Sequence, residues 1–424
     1  MLTKATLISH IGQLLSLAPL RVKPYGEPIE AADLGSLENA WLLVVAGKVC
    51  DYGPMPVPAA IKNQAALIEV DAEGALCLPG LVDSHTHPLF AGERSNEFAA
   101  RLAGKTYQEI AAAGGGIAAT VQATRQARDE ELHRLCQQRL AGFLAYGVTT
   151  CEVKTGYGLS VAEELRGVRI LHRLKQHSSQ TLRVTCLALH AVGREFASTR
   201  AYVEAMSEEL LPSLARQQLA DGVDAFIENG YFSPGDCHEY MRTAQKLGLS
   251  IRIHADEFSD AGGAEAAAHW GAQSADHLQQ ASNQGLKAMA AAGVVATLLP
   301  GTSLYTGIPF VDGRKVIAAG CRVALGSDFN PGSCYLGNLP LIASIAGVHC
   351  QLRPWEILAG ITYVPACSLA LGERKGCLAK GYDADFILHP AGSLEAYLAD
   401  MGQQLPASVW IGGELVVASP RQAC

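Results

Sequence analysis

Leu78-Pro79-Gly80-Leu81-Val82-Asp83-Ser84-His85-Thr86-His87 is the stretch that decides the fold. An apolar, β-prone run enters at Leu76 and ends in two histidines one residue apart. Side chains along a strand alternate faces, so residues i and i+2 point the same way. His85 and His87 therefore aim two imidazoles at one point where a strand stops. Such a pair either grips a metal ion or simply closes a strand with two polar residues. As ligands, imidazoles suit zinc, iron or nickel better than magnesium or calcium. The rest of the chain has to decide.

Downstream, helical and strand patterns alternate. Arg128 to Tyr146 sets Leu132, Leu135, Leu140, Phe143 and Leu144 along one helical stripe, with Gly147 as the stop. Val148 to Val153 then reads as a strand, and Ser160 with Glu163 as a capping box opening the next helix. Further strands are expected at Arg183 to His190, Val223 to Glu228, Ile251 to His254, Gln273 to His277, Gly293 to Leu299 and Cys321 to Asp328. Helical periods fill the gaps, as at Asp260 to Trp270 and Ser282 to Ala292. With Leu78 to His87 as the first strand there are about eight strand–helix units, the number that closes a (β/α)8 TIM-like barrel. The runner-up is an open doubly wound sheet, but no G-x-G-x-x-G or P-loop pattern follows a strand. Gly114-Gly115-Gly116 is read as a loop, with a phosphate cradle as its alternative.

Both ends of the chain are β-rich. Ala40 to Val45, a Gly47-Lys48 turn and Val49 to Tyr52 make one hairpin; Ser408 to Ile411, Gly412-Gly413 and Glu414 to Val417 make another. The expected organisation is a barrel over residues 78–380 and a small composite β-sandwich built from 1–77 and 381–424.

Barrels of this kind carry their chemistry at the C-terminal ends of the strands. Here the first end offers His85 and His87 and the third His190. The fifth offers His254, Asp256 and Glu257, the sixth Asp276 and His277, and the eighth Asp328. So many ionisable groups on one rim would cost stability if left unpaired, which favours the metal reading. His133, His172, His177, His269 and His349 fall in helical segments, and His10, His238 and His389 have no obvious partner; these are left out.

Composition bounds the answer. The 424 residues, 49% hydrophobic and 17% charged, suit one large barrel plus a smaller lobe. A formal net charge of −8 argues against nucleic acid or an anionic membrane as the main partner. The 12 cysteines are scattered with no C-x-x-C pair, favouring reduced thiols in the cytoplasm. No apolar run reaches the ~18 residues of a membrane helix, and Met1 to Leu20 lacks the basic start and cleavage site of a signal peptide. A soluble, cytosolic protein acting on a small molecule is expected.

Several blocks carry a resemblance. They are Pro79 to His87, Phe90-Ala91-Gly92-Glu93-Arg94, Gly114 to Ile117 with Thr120, and Glu152-Val153-Lys154-Thr155-Gly156-Tyr157-Gly158-Leu159. With them go His254-Ala255-Asp256-Glu257, Ser274 to Leu278, Val294 to Gly301 and Asp328-Phe329-Asn330-Pro331-Gly332-Ser333. In this order, from about residue 78 to 385, they resemble the metal-dependent amidohydrolase superfamily and, within it, the imidazolonepropionase family. H-x-H alone marks the superfamily; the Gly-Tyr-Gly, H-A-D-E and D-x-N-P-G-S blocks together mark the narrower group.

The resemblance implies that His85, His87, His254 and Asp328 bind one zinc or iron ion per chain, and that a homodimer forms. Relatives with two metals usually carry a carbamylated lysine at the end of the fourth strand; here that strand ends Phe226-Ile227-Glu228, so one metal is expected. The implied reaction hydrolyses the ring amide C–N bond of 4-imidazolone-5-propanoate to N-formimidoyl-L-glutamate, a step of histidine degradation. Glu257 is the expected general acid/base and His277 the group that steadies the nucleophile or oxyanion, with Asp328 sharing the proton transfer. Arg94 offers a fork for the propanoate carboxylate, its bland alternative being a surface ion pair with Glu93 or Glu97. Tyr157 and His190 are expected to contact substrate, and Asn330, Gly332 and Ser333 the ring or product. Thr302 to Tyr305 and Thr362 to Pro365 depart from the family pattern; neither is expected to touch a metal ligand, and both are expected to shape the pocket wall. Two rivals stand beside this reading, an aromatic deaminase acting on a guanine- or cytosine-like base, and a non-catalytic scaffold.

Overall fold

At Gly80 the chain changes sheets. In the computed structural model, which describes residues 5–63, 67–105, 109 and 114–418, Leu76–Pro79 runs antiparallel to Phe386–His389 in one sheet. Leu81–Asp83 then opens a second sheet. The run expected as a single strand from Leu78 to His87 is therefore split. Gly80 sits at the crossing because a Cβ there would collide with the side chain of Thr149 on the neighbouring strand.

The second sheet is the expected barrel. Its parallel strands are Leu81–Asp83, Val148–Lys154, Thr181–Leu189, Gly222–Ile227, Ser250–Ala255, Ser274–His277, Val295–Leu298 and Val323–Leu325, each hydrogen-bonded to the next. Closure between the last and the first comes just beyond the strands. Thr86 bridges Phe329, His87 N donates to Phe329 O at 2.9 Å, and Asp328 N donates to His85 O at 2.9 Å. The backbone that closes the barrel thus carries the histidine pair.

Helices cover the outside for the reasons their sequences suggest. Asp129–Ala145 buries Leu132, Cys136, Leu140 and Phe143 at helical spacing. Val161–His177 is capped by Ser160, which accepts from Glu163 N; the Glu163 carboxylate turns to Arg166 instead of completing the reciprocal box. The interior departs from an all-apolar core. Glu152 and Lys154 on the second strand, Asp224 on the fourth and Arg252 on the fifth are all buried.

Both termini build the other sheet. Its order is Glu414–Ala418, Ser408–Ile411, Phe386–His389, Leu76–Pro79, Ala5–Leu15, Ser36–Val45, Lys48–Pro54, with Leu67–Asp71 added in parallel to Ala5–Leu15. The sheet curls on itself: Ile8, Leu42 and Val44 share one apolar cluster with Cys77, Phe386 and Trp410. Phe386 and Trp410 stack with centroids 5.3 Å apart. The two expected hairpin turns meet through Ala384, whose N donates to Gly47 O while its carbonyl accepts from Gly413 N, each at 2.9 Å. Residues 1–4, 64–66 and 419–424 of the expected lobe lie outside the described residues. No helix among the described residues is long and apolar enough to cross a membrane.

Candidate active site

Four ligand atoms from three distant parts of the chain face one another at the C-terminal rim. His85 Nε2 and His87 Nε2 are 3.2 Å apart, and His254 Nε2 is 3.3 Å from His87 Nε2. Asp328 Oδ1 lies 3.4 Å from His85 Nε2 and 3.3 Å from His87 Nε2. All four side chains are buried. Where the rings present lone pairs to one another at such separations, a positive charge is needed between them. Three nitrogens and one carboxylate oxygen closing on a point are the donor set of a transition-metal centre, so the residues fit the expected group.

The far sides of two rings are held by acids. His85 Nδ1 lies 2.7 Å from Asp276 Oδ2, and His254 Nδ1 lies 3.0 Å from Asp224 Oδ2. Behind both acids sits Lys154, whose Nζ is 2.7 Å from Asp224 Oδ2 and 2.9 Å from Glu152 Oε2. Burial and the Lys154 charge oppose protonation of His85, but Asp276 and Asp328 outweigh them and lift it to about 9. Burial dominates at His254, with the His85 charge behind it, and takes it down to about 3 although Asp224 pulls the other way. The role of Asp276 as a partner of His85, and those of Asp224, Glu152, Lys154 and Arg252, escaped the sequence reading. A signal was present: charged residues at every second position of otherwise buried strands, as in Glu152-Val153-Lys154 and Arg252-Ile253-His254.

One expectation is corrected. Thr302, in the segment expected to stay clear of the metal ligands, donates its hydroxyl to Asp328 Oδ2 at 2.5 Å. The motif spacing hid this because Thr302 lies in the first turn of a helix, Pro300–Thr306, that follows the seventh strand, whereas Asp328 follows the eighth. Thr362 to Pro365 is corrected too. Its threonine donates to Leu358 O, the segment leads into the buried helix Tyr363–Ser368, and none of its residues lines the pocket.

Backbone geometry aims the rim residues. Asp256, His277 and Asp328 hold left-handed φ values of 54°, 80° and 50°, each costing on the order of 1–3 kcal/mol outside glycine. Asp256 turns away from the cluster and accepts from Ala261, Gly263 and Ala264 N, capping the next helix. Glu257 instead faces the pocket, its Oε1 3.7 Å from His277 Nδ1. Glu228 holds the chain just beyond it: Oε2 accepts from Phe258 N at 2.8 Å and Ser259 N at 3.2 Å. Burial, then the charges of Asp328 and Glu228, raise Glu257 well above the usual carboxylate range.

The cluster opens into a pocket lined by His87, Arg94, Tyr157, His190, Glu257, His277, Asp328, Asn330 and Ser333. Arg94 does pair with Glu97, at 2.7 Å, but the pair is buried and not on the surface. Gly332 packs on its guanidinium, where a Cβ would collide. His190 Nδ1 donates to Gly156 O at 2.9 Å, leaving Nε2 as acceptor; burial and then the His87 charge lower it to about 3. Tyr157 is buried with its ring 5.5 Å from that of His190. Asn330 spends its amide on its own loop, accepting from Gly332 N and Ser333 N and donating to Asp328 O.

Fold and rim together define a hydrolase of the amidohydrolase class, and the comparisons agree. A model described as the amidohydrolase family matches residues 93–417, so the chain belongs to that family. Within it, the imidazolonepropionase of Symbiobacterium thermophilum is 43% identical over 417 residues, covering 97% of each chain. That of Caldanaerobacter subterraneus subsp. tengcongensis is 39% identical over 398 residues, covering 93% of this chain and 94% of its own. The chain accordingly belongs to the imidazolonepropionase family. Solved structures similar to it include 5-methylcytosine deaminase from Klebsiella pneumoniae, with TM-score 0.73, 17% identity and 99% of each chain covered. E. coli guanine deaminase gives TM-score 0.69 at 16% identity, covering 98% of this chain and 100% of its own. At that identity the likeness concerns the fold alone.

Proposed function

We propose that the pocket opens the ring of 4-imidazolone-5-propanoate, adding water across the bond between carbonyl carbon and ring nitrogen to give N-formimidoyl-L-glutamate. The observation that carries this reading is the convergence of His85, His87, His254 and Asp328 at the floor of a pocket that also holds Glu257 and the buried Arg94 guanidinium. The first four residues would hold one ion, zinc or iron. When bound, such an ion supplies a Lewis acid and brings the pKa of water down to ~7.

Glu257 takes the proton of the attacking water and returns it to the ring nitrogen as the C–N bond breaks, so that water ends divided between the new carboxylate and the freed nitrogen. The His277 imidazole steadies the oxygen that gains charge as the carbonyl carbon becomes tetrahedral. Asp328 keeps one oxygen toward the imidazoles and shares the proton transfer. Arg94, fixed by Glu97, meets the propanoate carboxylate. Tyr157 and His190 hold the substrate from the side, while Asn330, Gly332 and Ser333 shape the wall against the ring and the product. Glu228 at the end of the fourth strand, already engaged by the 258–259 backbone, supports a one-ion site. An aromatic deaminase would share the metal-type cluster but has no use for the Arg94 cation.

The test is a direct assay of imidazolonepropanoate absorbance. Its loss, abolished by chelator and restored by zinc or iron, is expected; no loss under either metal would end the assignment.

A further inference from the structure

Lys154 ends the second barrel strand with its side chain fully buried beneath the histidine cluster. An ammonium is costly to bury unless it is paired, and no step proposed above uses it. It donates a hydrogen bond to Asp224 Oδ2 at 2.7 Å and forms ion pairs with Glu152 Oε2 at 2.9 Å and Asp276 Oδ2 at 3.8 Å. Glu152 is held independently, by Arg252 Nε at 2.7 Å and Thr185 Oγ1 at 2.5 Å. The other two oxygens are shared with the cluster. Asp224 Oδ2 lies 3.0 Å from His254 Nδ1, and Asp276 Oδ2 lies 2.7 Å from His85 Nδ1.

Sharing has a chemical consequence. An ammonium can only donate, so Asp224 Oδ2, which it reaches at 2.7 Å, is an acceptor and the His254 nitrogen beside it carries a proton; Asp276 Oδ2, at 3.8 Å, is beyond hydrogen-bond reach and feels the ammonium as charge alone. A neutral imidazole protonated at Nδ1 presents its lone pair at Nε2, the atom that faces the cluster in both rings. We propose that Lys154 is a positioning residue: its ammonium on the second strand fixes the tautomer and orientation of His254 on the fifth through one oxygen of Asp224, and its charge steadies the pair that Asp276 makes with His85. This rests on the reading that those imidazoles hold a divalent ion.

Full-length protein, Lys154→Met, Asp224→Asn and the double variant are stripped with chelator and titrated with zinc against a chromophoric competitor. Lys154→Met and Asp224→Asn are each expected to weaken zinc binding ~10–100-fold, the range for partners that orient ligands. The double variant should lose much less than the product of the two, because both act on one oxygen. In cobalt-loaded protein, Lys154→Met should also shift the visible ligand-field bands. Wild-type affinity in a cooperatively melting Lys154→Met, or losses that multiply, overturns the proposal. Should Lys154→Met not fold, Asp224→Asn and Asp276→Asn decide: unweakened zinc binding in both overturns it as well. Absence of zinc binding by the unaltered protein would instead remove the metal reading beneath it.

Discussion

Thr302 donates its hydroxyl to Oδ2 of Asp328 at 2.5 Å, leaving Oδ1 turned toward Nε2 of His85 and His87. A carboxylate pinned on one oxygen cannot rotate freely, so the hydroxyl decides which oxygen joins the imidazoles. Thr302→Val keeps the shape and removes the donor. Its zinc affinity and kcat/KM are expected to fall ~10-fold or more, with Thr302→Ser close to the parent; chelator competition and steady-state kinetics check both.

Glu257 is the main proton carrier of the proposed reaction, with Asp328 sharing the transfer. Glu257→Gln is expected to lower kcat ~10²–10⁴-fold with little change in metal content. Its raised pKa has a readable cause in Glu228. A base works when ionised, so activity rises with pH through its pKa. Burial raises that pKa first, and the charges of Asp328 and Glu228 add to it. Glu228→Gln removes one negative charge and should move the acid limb of the kcat/KM profile to lower pH, compared at the same bound ion.

Arg94 separates the substrate classes. Arg94→Met removes the cation facing the pocket and leaves Glu97 buried without it. A charged hydrogen-bond partner contributes ~1.5–3 kcal/mol, so KM for imidazolonepropanoate should rise on the order of 10–100-fold with a smaller change in kcat. Michaelis kinetics on the variant check this, and an unchanged KM would point to a substrate without a carboxylate.

The barrel was legible because its signals are local: alternating periods, glycine stops after helices such as Gly147, and ionisable residues where strands end. His85, His87, His254 and Asp328 could be named from those ends, and the structure brings the three histidines together with Asp328 beside His85 and His87. What could not be read depends on register and on which way a side chain turns. Asp256 and Asp276 both stand at the C-terminal end of a strand and look alike in sequence, yet one caps a helix and the other holds His85. The place of Lys154 could not be read because its ion partners come from its own strand, the fourth and the sixth. Thr302 was discounted because its contact with Asp328 spans two strand–helix units.

Asp383 ties the terminal sheet together. It meets Lys48 Nζ at 2.5 Å, Arg374 Nη2 at 2.8 Å and Lys375 Nζ at 3.1 Å. Burial alone would raise its pKa; Lys48, Lys375 and Arg374 outweigh it and bring the carboxyl to about 2. The folded value lies below the unfolded one, so the contribution to stability is present above pH ~4 and is lost as pH falls toward about 2. Asp383→Asn should therefore melt lower than the parent at neutral pH, and the two melting curves should converge as the pH is lowered through that window.

Anomalous scattering at the zinc and iron edges, from crystals of protein purified without chelator, tests the central claim most directly. One peak per chain is expected, ~2.0–2.2 Å from Nε2 of His85, His87 and His254 and from one carboxylate oxygen of Asp328. No peak at that point at either edge, or a peak only at another cluster such as Asp256, Asp260 and Glu265, would contradict it.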